Sequence, residues 1–486
     1  MNVFKKLLRA IAGPMLALSL PLAASAQQYV GCPGNCIRDA EIEQILRDYG
    51  DPLFAAAGLQ PKDVDIHIVQ DNSLNAMVAL GQHMFINTGT IMEAETPEQL
   101  KGVMAHETGH IALGHNVTRY DAMGAAQGTS LVTLGLGALA LAAGAPDAAM
   151  ALFGSAGQFG MLTMFKFTRA EESAADQYGL DLLQKTNQSG QGLIDFFEKF
   201  AYEEMMSESR REPYFRSHPI SRDRVSALRK RVGTVQCVAA AEPDGDTSKE
   251  HCVTTDKAPP QDDKSLEQLA MMKAKLVGFI GPANKVLTRY PKSDQSIPAK
   301  YARAIAAYRA VDIKAALTET QALIDAQPDN PYFQELKGQI LFESGKAEDS
   351  IAPHRRSVEL APNQPLLKVN LARSLVATKK KENVDEAEGL LIDARDLEKN
   401  NPFTWNQLAT VYAAQGRTGD ADLATAEEAY ILGAMGRAQH FAMRALKELD
   451  SSTPNGQRAS DIAALSDPRN FSGRRGNRQP LTYTKQ

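Results

Sequence analysis

The stretch Thr96-Pro97-Glu98-Gln99-Leu100-Lys101-Gly102-Val103-Met104-Ala105-His106-Glu107-Thr108-Gly109-His110 reads as one capped helix carrying a metal-binding pattern. Thr96 suits the N-cap, Pro97 the first helical position, and Gln99 predicts a capping box. Leu100, Val103 and Met104 form its apolar face. His106 and His110 stand four residues apart on one face, so both imidazoles can reach a single zinc ion. Glu107 lies beside them, facing a water molecule. Zinc ligands and a general base on one helix point to hydrolysis of peptide bonds. One subclass is excluded: a metzincin needs Gly at 113 and His at 116, where this chain has Leu113 and Asn116. His115, five residues past His110, should point well away from the metal.

A third ligand must come from elsewhere. Downstream, Glu172 and Asp176 lie one helical turn apart in the segment from Arg169 to Asp176. Glu172 is the expected ligand, and Asp176 would hold a ligating histidine in its tautomer. In isolation the pair would read as a solvated acidic face.

Together these segments, with the strand Met84-Phe85-Ile86-Asn87 and the later Ser217-His218-Pro219, resemble the HtpX and CAAX-prenyl-protease family of zinc metallopeptidases. The resemblance covers residues 38–232. It implies one zinc per chain on His106, His110 and Glu172, with Glu107 as general base. His218 enters as a further catalytic candidate with two versions. It hydrogen-bonds the oxyanion, with Arg224 close by, or it occupies zinc's fourth position and keeps the enzyme latent.

Outward from this region the chain divides by composition. Residues 1–26 carry Lys5, Lys6 and Arg9, an apolar run and Ala24-Ser25-Ala26, the layout of a cleaved secretory signal. Export suits disulfides, expected between Cys32 and Cys36 and between Cys237 and Cys252. Residues 233–264 read as a linker holding the second disulfide. Residues 265–450 are helical in period, with Pro328 and Pro362 34 residues apart, which is the tetratricopeptide period. The basic insert Lys379-Lys380-Lys381 accounts for the longer step from Pro362 to Pro402. Residues 451–486 are expected to be a flexible basic tail. Between Ala122 and Phe165 the only charge is Asp147. That stretch predicts a helical hairpin near the site that touches the membrane surface, with insertion or a mobile lid as alternatives.

The expected fold is mainly α: an α+β zincin-like (gluzincin) domain with a small edge sheet, then an α-helical repeat solenoid. Hydrophobic residues at 43% and charged residues at 23% exclude a disordered chain and a polytopic membrane protein. The net charge of −5 becomes about −8 without the three basic residues of the signal, so nucleic acid is excluded as a partner. A signal peptide and repeats around the protease resemble the layout of periplasmic beta-barrel assembly-enhancing proteases. That layout implies a periplasmic location, membrane-associated or not, misassembled outer-membrane proteins as substrates, and the barrel-assembly machinery as partner. The competing function is a periplasmic chaperone or scaffold with latent or secondary proteolysis.

Overall fold

The computed structural model describes residues 35–79, 81–115, 168–200, 212–232 and 262–468, with the backbone of two strands at 235–239 and 250–254. The expected signal segment, Cys32, the uncharged hairpin and the end of the tail from Arg469 lie outside the described residues.

The first domain starts with β1 (Cys36–Ile37) and α1 (Ala40–Ala56), which Asp39 caps by accepting from the N–H groups of Glu41 and Ile42. Then come β2 (Asp65–Val69), β3 (Ala76–Ala79), β4 (His83–Asn87), α2 (Thr88–Glu93) and α3 (Pro97–Ala112). The strand order is β1-β2-β4-β3. β2 and β4 run parallel, with Ile66 opposite Met84 and Ile68 opposite Ile86. Alternation sends Ile68, Val78, Met84 and Ile86 into the main core beneath α1 and α3, while Phe85 packs with Cys36 and Val69 on the other face. Thr88-Gly89-Thr90 forms the first turn of α2. The capping box expected on α3 is not formed: the Thr96 side chain accepts no cap hydrogen bond, and Gln99 Oε1 accepts from the N–H of Glu95.

Among the described residues, four further helices belong to this domain: α4 (Arg169–Lys185), α5 (Gln191–Glu198), α6 (Pro213–Ser217) and α7 (Arg222–Val232). α4 does open on a reciprocal capping box, between Thr168 and Glu171. The expected linker contains a hairpin, β5 (Val235–Ala239) and β6 (Glu250–Thr254), whose register sets Cys237 opposite Cys252. Cys36 is disulfide-bonded.

From α8 (Asp263–Ile280) onward the described chain is helical. α8 does not start a separate core: Leu269, Met272 and Leu276 are buried in the core of the first domain. α9 (Ala283–Arg289) follows, then hairpins of paired helices. These are α10 (Ile297–Arg309) with α11 (Ile313–Ala326), α12 (Pro331–Glu343) with α13 (Ala347–Leu360), α14 (Pro365–Ala377) with α15 (Lys381–Leu397), and α16 (Pro402–Ala414) with α17 (Thr418–Ile431). Each hairpin turns through one left-handed residue, at Val311, Gly345, Lys379 and Gly416. Pro362 and Pro402 are not equivalent positions. Pro402 starts a helix as Pro365 does, 37 residues earlier, and the three extra residues lengthen α15 to 17 residues against 14 in α13.

Two more helices, α18 (Met435–Ala445) and α19 (Pro454–Leu465), close the array. The tail therefore does not begin at 451, because Ala459, Ile462 and Ala463 of α19 are buried against α17 and α18. Among the described residues, no helix is long and apolar enough to cross a membrane.

The two parts are joined through a buried charge cluster. The Lys275 ammonium, on α8, lies 2.9 Å from Asp39, 3.3 Å from Glu41 and 3.9 Å from Glu335 on α12. Tyr301 on α10 donates to Glu41 at 2.8 Å. Arg38 pairs with Glu398 at 2.8 Å, and the Gln364 amide donates to the Ala40 carbonyl.

Candidate metal centre

α3 and α4 bring the site together because glycine lets them approach closely. A Cβ on Gly109 would lie 2.9 Å from the Ala175 carbonyl oxygen, and one on Gly179 would lie 3.1 Å from the His106 nitrogen. That approach carries Glu172 over the face of α3 that presents His106 and His110. A third element enters at the end of α6, where His218 caps the helix and its N–H donates to Tyr214 O.

His106, His110, Glu172 and His218 are buried, each offering one donor atom within 4.8 Å of the others. His106 Nε2 lies 3.2 Å from His110 Nε2, 3.5 Å from Glu172 Oε2 and 3.3 Å from His218 Nδ1. His110 Nε2 is 3.5 Å from Glu172 Oε1, and His218 Nδ1 is 2.9 Å from the same oxygen. Donors about 2.0–2.1 Å from a tetrahedral ion are about 3.4 Å apart, so these separations fit a bound divalent metal. Three imidazoles and one carboxylate are donors suited to such an ion, and none of the four side chains reaches solvent.

The surrounding groups set the charge and orientation of each ligand. Asp176 Oδ1 lies 3.0 Å from His106 Nδ1, leaving Nε2 directed at the cluster. Burial opposes a charge on His106, but the Asp176 and Glu172 carboxylates outweigh it and raise its pKa to about 9. Burial, with the neighbouring imidazoles, keeps His110 well below the usual histidine range, and therefore neutral. Burial would raise Glu172, yet the three histidines hold it well below the carboxylate range. Arg224 grips Asp176 with Nε and Nη2, both at 2.7 Å, and reaches Glu172 through Nη1 at 2.9 Å. It also donates to the Pro219 carbonyl at 2.8 Å and lies over the Phe197 ring, 5.2 Å from its centroid.

Glu107 is buried beside the cluster, with Oε1 3.4 Å from His218 Nε2. His115 does not point away as expected. Its Nδ1 lies 3.0 Å from Nδ1 of His110, where it can set that ring's tautomer without being a ligand. Sequence reasoning also missed Tyr214, which stacks on His218 with centroids 4.7 Å apart, and Phe197, whose ring meets the edge of His106. Arg224 stands out in the sequence only as a neighbour of His218; nothing local marks it as buried against Asp176 and Glu172.

Residues 37–232 match the family model of Peptidase family M48. The Beta-barrel assembly-enhancing protease of Escherichia coli (strain K12) is 25% identical over 404 residues, spanning 82% of this chain and 77% of that protein. Metalloprotease LoiP of the same organism is 30% identical over 174 residues, 36% of this chain and 64% of its own length. Among solved structures, the tetratricopeptide protein YrrB aligns with 35% of this chain and 89% of its own at 16% identity, with a TM-score of 0.30. The repeat architecture here rests on the helix hairpins themselves.

Proposed function

We propose that this chain, a metalloendopeptidase whose residues 37–232 match the family model of Peptidase family M48, is an exported, zinc-dependent enzyme of the periplasm. It degrades misassembled outer-membrane proteins there, and its repeats bind substrate or the barrel-assembly machinery. The observation that carries this reading is the buried His106, His110, Glu172 and His218 cluster with Glu107 against it. The similarity to a beta-barrel assembly-enhancing protease across both the peptidase and repeat regions supports the choice of substrate.

His106, His110 and Glu172 would hold the zinc, which when bound polarises the scissile carbonyl and acidifies water. Glu107 takes the proton of the attacking water and passes it to the leaving amine. Asp176 keeps the His106 proton on Nδ1, and Arg224 balances the two carboxylates behind the ligands. Glu107→Gln tests this: zinc content should match wild type while casein cleavage is lost. Glu172→Gln should lose metal as well. Retention of full metal and activity in Glu172→Gln would sink the ligand assignment.

The position of His218 favours a second reading, in which the resting protein is a chaperone or scaffold with latent proteolysis. Its imidazole is a fourth donor in a cluster that needs an open position for catalysis.

A further inference from the structure

A second group of ligand side chains lies on the sheet, away from the buried centre. Asp65 and His67 are two residues apart on β2, so they share a face, and the parallel register puts His83 of β4 opposite Asp65. His67 Nε2 and His83 Nδ1 are 2.9 Å apart, and His83 Nδ1 is 3.4 Å from Asp65 Oδ2. One donor from each of the three lies within 4.8 Å of the others. These are again close to the separation of about 3.4 Å expected around a tetrahedral ion.

The setting differs from that of the buried centre. Asp65 is 52% and His83 36% exposed at the side chain, so water can complete the coordination and the ion can exchange. His67 is held by stacking on Phe85, with ring centroids 4.7 Å apart and planes 18° apart. Arg38 and Arg47 are the cations near His67. Both arginines are themselves engaged. Arg38 pairs with Glu43 and Glu398, and Arg47 with Asp51 and the Pro61 carbonyl. Two imidazoles and one carboxylate suit zinc, copper or nickel rather than calcium or magnesium, which prefer all-oxygen shells.

We infer that Asp65, His67 and His83 form a second, solvent-open site for a borderline divalent metal ion, separate from the buried centre. An ion there would clamp β2 to β4, the strand that runs directly into α2 and then α3.

The test is zinc titration of the tag-free, metal-stripped full chain, read by elemental analysis after desalting and by calorimetry. Wild type should take up two equivalents. His83→Ala should take up one, or bind the second at least about tenfold more weakly, since even an outer-shell partner is worth 10- to 100-fold. Asp65→Asn, an isosteric change at an exposed position, should weaken the same equivalent, and casein cleavage by both variants should match wild type. Uptake of a single equivalent by wild type at micromolar free zinc would overturn the inference. A second equivalent bound equally well by both variants would overturn it too. In either case the His67–His83 contact is only a hydrogen bond.

Discussion

Replacing His218 by alanine separates its two possible roles by the sign of the effect. In the structure its Nδ1 faces Glu172 at 2.9 Å, its Nε2 faces Glu107 at 3.4 Å, and its ring stacks on Tyr214. If His218 fills the metal's fourth position, it must leave before substrate can enter. On leaving it gives up that coordination together with its contact to Glu172, and the contact alone, as a hydrogen bond to a charged group, sets a lower bound of about 1.5–3 kcal/mol. At 1.36 kcal/mol per decade that is a factor of roughly 10 to 150 in the open fraction. His218→Ala should then raise basal cleavage by at least about that factor. His106, His110 and Glu172 remain, so the zinc should stay. The assay is a quenched fluorescent peptide cleaved by zinc-loaded protein, with self-cleavage mapped by mass spectrometry and metal counted in the same samples. A fall in kcat with zinc retained would refute the plug and favour the oxyanion role. Unchanged activity would remove both roles.

Three further outcomes follow from other contacts. Asp176→Asn removes the negative charge that Arg224 and His106 face, and puts an amide N–H2 where Asp176 Oδ2 accepts from Arg224 Nε at 2.7 Å. It should lower zinc affinity by about 10- to 100-fold in a chelator competition and destabilise the domain by about 3–5 kcal/mol in a denaturant melt. Glu335, in the junction cluster, has its pKa raised to about 7 by burial, with Asp39 and Glu41 adding to it against Lys275. Between pH 4.5 and 7 the folded state keeps this proton and the unfolded chain loses it, so stability should fall as pH rises, by up to about 3 kcal/mol. Glu335→Gln should flatten that part of the pH profile of thermal unfolding, and an unchanged slope would count against the assignment. Val311 is a β-branched residue in the left-handed region at φ 61, where two of the three equivalent turns have glycine, Gly345 and Gly416, and the third has the unbranched Lys379. Its side chain is 76% exposed, so Val311→Gly should stabilise the array by about 1 kcal/mol by relieving strain, and a lower melting temperature would contradict this.

What was legible in the sequence was local. Two histidines and a glutamate within five residues depend only on the period of a helix, and so does the pairing of Glu172 with Asp176 one turn apart. The proline spacing of the repeats is equally local, although proline alone could not distinguish the turn at Pro362 from the helix start at Pro402. The flexible tail was placed too early because the apolar face of α19 acquires meaning only against α17 and α18.

The remaining features are contacts between residues far apart in the chain, and nothing in their own neighbourhoods specifies them. Asp39, Glu41, Lys275, Tyr301 and Glu335 form one buried cluster only because α8 packs into the core of the peptidase domain while the repeats stack on α1. Arg224 looks like its exposed neighbours until α7 is laid against α4. His67 and His83 meet through the parallel register of β2 and β4. Helical period is written into consecutive side chains, whereas these juxtapositions depend on close approach between elements, such as the absence of a Cβ at Gly109, and so were decided only by the tertiary structure.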